Sequence, residues 1–216
     1  SLSDREVEII KLEDAISIHQ DTKNELEIYS KNNEVKLVKP FILVVCKDIA
    51  HAKEIYELIN SDTFYDGQYK GKVLQIDSST KKEEDIEKQF ISLESPDNEI
   101  EIVIHVNMLK EGWDVTNLYT IVPLRAANAG VLVEQTIGRG LRLPYEGKRT
   151  GEDKIDKLTV VAHENFNAVI EAAQNPNSVL NKMSFAEIPE EDLNTKTQVV
   201  TSKPVTEQNF EKEQEK

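Results

Sequence analysis

A chain of 216 residues is long enough for one sizeable α/β domain with extensions, or for two small domains. At 38% hydrophobic residues and a formal net charge of −14, it can bury a core, keeps much of its length in solvent and argues against a general nucleic-acid binder with a basic face. A single cysteine, Cys46, excludes a disulfide framework and fits a reducing cytoplasm. No apolar stretch approaches the ~20 residues that a membrane span needs, and no signal-peptide pattern opens the chain. A first residue of serine rather than methionine points to an excised or processed fragment.

Residues 1–33 are highly charged, with Ile9, Leu12, Ile16, Leu26 and Tyr29 at spacings that predict an amphipathic helix ending before Pro40. "FILVVC" (Phe41–Cys46) is a continuous β-branched run, too short for a helix. It reads as a strand buried on both faces, the mark of a parallel sheet. A helix is expected next, with Asp48 as N-cap and Ile49, Ala52, Ile55, Tyr56 and Ile59 inward. "KVLQIDS" (Lys72–Ser78) predicts a second strand, and Lys82–Glu94 a helix with Ile86, Phe90 and Leu93 inward. "IEIVIHVN" (Ile100–Asn107) and "YTIVPLRA" (Tyr119–Ala126) predict two more strands joined by a loop. "GVLVEQTIG" (Gly130–Gly138) suits a helix and "KLTVVAH" (Lys157–His163) a fifth strand. Strands alternating with helices mean βαβ units and a mainly parallel sheet. After Ala186 the pattern lapses into charges, Thr, Gln and Pro. That stretch is expected to be an irregular extension, in which "QVVTSKPV" could add an edge strand. The chain divides accordingly into 1–39 (helix and linker), 40–186 (α/β domain) and 187–216 (acidic tail).

Arginine is spent in one place. Of five arginines, four lie between Arg125 and Arg149, and six of eight glycines between Gly112 and Gly151. Arginine is the planar fork that grips phosphate or carboxylate at two points, whereas lysine is the ordinary solubility residue. Arg139 and Arg142 are three apart, with Gln135 four before Arg139, so a helix or tight turn sets all three on one side. Gly138 and Gly140 remove side chains that would fence off the first guanidinium. Such a cluster suits a phosphate whose charge grows during phosphoryl transfer, the arginine-finger role; the spacing fits equally a surface ion-pair cluster with nearby carboxylates. "KEGWDV" sets Asp114 two residues after Gly112, as a ribose-hydroxyl acceptor or a partner for an arginine, or simply as a tight turn beside a half-buried Trp113.

Open parallel sheets bind ligands at the carboxyl ends of their strands. Lys47, Ser78, Ser79 and Asn107 all follow strands there, a set of groups that commonly positions phosphates. There is no G-x-x-x-x-G-K-[ST] and no Asp-Glu pair ending a strand, so the chain holds fingers without a cradle. Four scattered histidines show no metal-ligand spacing, and His105 reads as a core residue. Cys46, inside an apolar run, reads as an inert thiol. The triplets Glu34-Val35-Lys36 and Glu152-Asp153-Lys154 match a nuclease pattern at the rate chance delivers in so charged a chain.

The segment "EIVIHVNMLKEGWDVTNLYTIVPLRAANAGVLVEQTIGRGLRLP" resembles motifs V and VI of superfamily 2 helicases. "KEGWDV…QTIGRGLRLP" looks most like the Res subunit of type III restriction enzymes, with "FILVVCKDIAHAKEI" similar to motif IV. The resemblance implies the second RecA-like domain of an ATP-driven DNA translocase, a three-layer fold whose partner, a first RecA-like domain, holds the P-loop, ATP and Mg²⁺. By position it implies that Arg139 and Arg142 reach the nucleotide phosphates, that Gln135 couples phosphate state to domain closure, and that Gly112, Asp114 and Gly138 line the nucleotide. Lys47, Ser78, Ser79 and Asn107 would lie along double-stranded DNA. Val106 stands where helicases often carry a threonine, which leaves no side-chain phosphate contact there. The family further implies a modification (methyltransferase) subunit as partner and a nuclease domain beyond this segment, with this fragment inactive alone. A type I restriction motor, a repair or RNA helicase, or a non-catalytic α/β interaction module remain alternatives.

Overall fold

The computed structural model describes residues 3–76, 83–106, 115–124, 143–162, 183–187 and 199–201. The first element is one long helix, α1 (Asp4–Asn33), started by a capping box in which Ser3 and Glu6 bond reciprocally. Strand β1 (Phe41–Cys46) and helix α2 (Ile49–Ile59) follow. Next come a 3₁₀ turn (Phe64–Gly67), β2 (Val73–Ile76), α3 (Glu83–Ser92), β3 (Ile102–Val106) and β4 (Leu118–Pro123). A short helix α4 (Asp153–Asp156), β5 (Leu158–Ala162), β6 (Met183–Glu187) and β7 (Val199–Thr201) complete the described elements. The strands form one sheet in the order β2-β3-β1-β4-β5-β6-β7, parallel throughout except for the antiparallel β6–β7 pair. This is the α/β fold with a mainly parallel central sheet that the alternating pattern predicts.

The fully buried strand β1 carries the layering. Ile42, Val44 and Cys46 pack on one face with Ala52, Ile55 and Ile59 of α2 and with Leu12, Ala15 and Ile16 of α1. On the other face Phe41 meets Phe90 of α3, ring centroids 6.5 Å apart. The predicted helix Gly130–Gly138 lies outside the described residues.

Two features depart from the sequence pattern. Ile49, expected to face inward, is 45% exposed, because it stands in the first helical turn, before the helix reaches the sheet. His51 is buried in its place and donates its main-chain N–H to the Asp48 carboxylate at 2.8 Å, the expected N-cap. The second is β6, a strand that the sequence pattern does not announce; its antiparallel neighbour β7 is the edge strand that "QVVTSKPV" allowed.

Helix α1 does not stand apart from the sheet. Its inward face includes Lys11, His19 and Thr22 beside Leu12, Ile16 and Leu26; Lys11 and His19 find partners distant in sequence, while Thr22 donates to the Ile18 carbonyl one turn back at 2.9 Å. His19 Nε2 lies 2.7 Å from Glu101 Oε2 at the start of β3, and Lys23 and Lys72 donate to the same carboxylate at 3.1 and 3.3 Å. Burial alone would raise the Glu101 carboxyl, but the hydrogen bond from His19 and the charge of Lys23 outweigh it and hold the group at about 2. A carboxyl so depressed stabilises the fold above its ordinary pKa near 4.5 and loses that contribution as pH falls toward 2. Discounted for the partly exposed lysines, the contribution is on the order of 1–2 kcal/mol at neutral pH. Thermal melts of Glu101→Gln should therefore fall below wild type at pH 7, with the gap narrowing below about pH 4.5 and closing only near pH 2 or below; a gap unchanged across that range would show that the charge of Glu101 is not what ties α1 to the sheet.

Candidate functional site

The four strands β2, β3, β1 and β4 end together. Ile76 pairs with His105, His105 with Val45, and Val45 with Pro123, so their carboxyl ends form one edge. The chain leaves β1 toward β2 on one side, while β4 leads to β5 on the other. These diverging exits make the carboxyl ends of β1 and β4 the lips of a switch-point crevice, the place where open parallel sheets take ligands.

Among the sequence-predicted site residues, Lys47 is described: it is exposed in the turn after β1. Ser78, Ser79, Asn107, Gly112, Asp114, Gln135, Gly138, Arg139 and Arg142 lie outside the described residues. The strands leading into their segments nevertheless end at the edge that carries Lys47, since β2 stops at Ile76, β3 at Val106 and β4 at Pro123. Val106 itself is buried.

Residues that the sequence did not single out cluster at this edge. His51 Nδ1 accepts the Lys47 main-chain N–H at 3.2 Å, and its Nε2 lies 2.9 Å from Glu8 Oε1 of α1. Arg5 stands 3.6 Å from the same glutamate. Lys11, almost wholly buried, donates to the Pro123 carbonyl at 3.3 Å, and burial, partly offset by Glu8, pushes its amine down to about 8. Glu8 and Lys11 gave no sequence signal, because a charged residue on a charged helix reads as solvated. Only the position of Lys11 beside Leu12, on the stripe that faces inward, hinted otherwise.

Neither expected core group is poised for chemistry. Burial raises the Cys46 thiol to about 12, so it stays protonated and unreactive at neutral pH. Desolvation pushes His105 down to about 4, which leaves it a neutral core side chain. Among the described residues, no three His, Cys, Asp or Glu side chains group to hold a metal, and no helix is long and apolar enough to cross a membrane.

A groove of about 390 Å³ lies at the opposite, amino-terminal edge, between Pro40, Ile100 and Lys72. Its lysines are already engaged: Lys23 and Lys72 by Glu101, and Lys39 by the carbonyls of Pro96 and Asn98. The groove thus belongs to the docking of α1, and the carboxyl edge remains the better candidate.

Fold and edge together define an α/β domain whose topological switch point lies beside Glu8, Lys11 and His51. No family model and no curated protein matches the chain. Among solved structures it is similar to one described as "Mss116p DEAD-box helicase domain 2 bound to an RNA duplex", at 13% identity and a TM-score of 0.40. That similarity covers 82% of this chain and 62% of the other, so the chain spans less than two thirds of the length of that neighbour.

Proposed function

We propose that this chain is the second motor half of a superfamily 2 nucleic-acid translocase, most like the Res subunit of type III restriction enzymes. It would supply the motif V and VI side of an ATP site and part of a DNA track. The observation that carries the reading is the segment "EGWDV…QTIGRGLRLP" in a chain with no P-loop: phosphate-gripping arginines without a phosphate cradle. Its position is consistent with this, since Gly112 and Asp114 follow β3, and Gln135, Arg139 and Arg142 follow β4, two strands that end at the same edge as Lys47. Bound at the boundary with a first RecA-like domain, ATP and Mg²⁺ would supply the energy of translocation. This chain's part would be to offer guanidiniums to the phosphates and a lysine, hydroxyls and amides to the nucleic-acid backbone. DNA would meet one edge of the domain, while the acidic remainder faces solvent; that reconciles a net charge of −14 with a nucleic-acid role.

Two measurements test the reading. The complete protein should carry a G-x-x-x-x-G-K-[ST] segment and an Asp-Glu pair upstream of residue 1, and should hydrolyse ATP faster with duplex DNA present. Absence of both the segment and the activity would leave an interaction module as the better account. Duplex affinity should fall linearly with the logarithm of salt concentration, with a slope of roughly −0.9 per phosphate contact. A nuclease region downstream and co-purification with a methyltransferase subunit would distinguish the type III assignment from a type I, repair or RNA motor.

A further inference from the structure

We infer that Glu8 and Lys11, one turn apart on α1, are positioning residues that hold the two lips of the β1–β4 crevice: Glu8 through His51 onto the Lys47 turn, and Lys11 through the Pro123 carbonyl. The inference rests on the nucleic-acid reading for its purpose, and on the geometry of the edge for its mechanism.

The β1 lip is the turn Lys47–Asp48. Asp48 already caps α2 by accepting the His51 main-chain N–H at 2.8 Å, so the His51 side chain is not needed for capping. It does something else. Its Nδ1 accepts the Lys47 N–H at 3.2 Å, which requires the ring proton to sit on Nε2, and Nε2 lies 2.9 Å from Glu8 Oε1, a close contact without the alignment of a hydrogen bond. The ring is 5% exposed and the Glu8 side chain 19%, so this link lies largely out of water. A carboxylate this close disfavours a bare lone pair on Nε2, so Glu8 favours the histidine tautomer by its charge rather than by a hydrogen bond, and the histidine orients the backbone from which the Lys47 side chain projects. A carboxylate that fixes an imidazole, which in turn fixes a functional group, is a general device for orientation.

The β4 lip is Pro123. Proline has no N–H, so it brings only its carbonyl to the edge, and the next ladder bond runs from Leu124 N–H to the Val45 carbonyl at 2.9 Å. Lys11 holds that carbonyl from the helix side at 3.3 Å. Burying an amine is costly, and methionine would fill the same space without desolvation. Lysine here buys a directed bond at the point where the chain leaves β4 for the segment containing Arg139 and Arg142.

Three-residue spacing puts both grips on one face of α1, with Arg5 a further three residues back and 3.6 Å from Glu8. The helix thereby spans the crevice as a strut. Its other half is tied to the amino-terminal edge through His19, Lys23 and Glu101.

The test uses the 216-residue chain, as wild type, Glu8→Gln, Lys11→Met, His51→Gln and Lys47→Ala, with Glu13→Gln on the exposed face as control. Amide NMR reads the mechanism: the Lys47 amide should shift and lose exchange protection in E8Q and in H51Q, and the Leu124 amide should do so in K11M. Fluorescence anisotropy with a labelled 20-base-pair DNA duplex, at low and moderate salt, reads the purpose. E8Q and K11M should each weaken binding roughly tenfold, with E13Q unchanged, and E8Q added to K47A should weaken it no further than K47A alone, as expected of two residues acting as one unit. Unmoved Lys47 and Leu124 amides overturn the inference. So does wild-type affinity in E8Q and K11M where K47A is weakened, an outcome that leaves the nucleic-acid reading standing. Wild-type chain with no salt-dependent duplex binding overturns the purpose assigned to the strut, whatever the amides show, while the nucleic-acid reading is decided by the complete protein.

Discussion

Replacing Arg139 or Arg142 by alanine in the complete protein is expected to lower nucleic-acid-stimulated ATP hydrolysis by about 10³-fold or more, the range an arginine finger contributes. The reason is electrostatic. Negative charge spreads over the transferred phosphoryl oxygens in the transition state, and a guanidinium already in place stabilises it without reorganisation. Arg139→Lys should restore little, because an ammonium cannot bond two oxygens in the plane of a fork. Gln135→Ala should reduce coupling between nucleic acid and hydrolysis more than it reduces ATP affinity. Steady-state ATPase with and without duplex separates these effects; undiminished activity in both arginine variants would move the pair from the finger role to a surface ion-pair cluster.

The largest effect on stability is expected at the contact between α1 and the sheet. Ile16 is 2% exposed and packs in the same cluster as Ile42, Val44, Val122 and Val161. Ile16→Ala should destabilise by about 3 kcal/mol, since methylenes are lost from a site whose rigid strands cannot collapse into the space. Removing residues 1–33 altogether should do more. It would bare Ile42, Val44 and Cys46 to water where Leu12, Ala15 and Ile16 now cover them. The remainder should show no cooperative thermal transition, and it should bind a hydrophobic dye. A sharp, wild-type-like melt of that truncated chain would establish 1–39 as a dispensable appendage.

Local chemistry made β1 and α2 legible. Six consecutive apolar residues have no solvated face in any conformation, so Phe41–Cys46 had to be an interior strand. Asp48 before an apolar stripe had to start a helix. The strands at Val73, Ile102, Leu118 and Leu158 followed from the same reasoning. Ile49 went wrong because periodicity counts residues and ignores where the helix meets the sheet. Strand β6 escaped notice because a five-residue segment, Met183–Glu187, owes its conformation to the neighbour it pairs with.

The candidate site divides along the same line. The arginine segment is legible because its chemistry is compositional: scarce arginines and glycines concentrated together stand out in any fold. The roles of Glu8, Lys11 and His51 are not, because each depends on a partner far along the chain, and Lys11 meets Pro123 112 residues away. By itself, the sequence determined the alternation of strands and helices, the parallel character of the sheet and the place where arginine and glycine are concentrated. Tertiary structure alone decided that α1 belongs to the core and which charges on it are buried. Burial of a charge is settled by the group it meets across the fold, and no local pattern encodes that meeting.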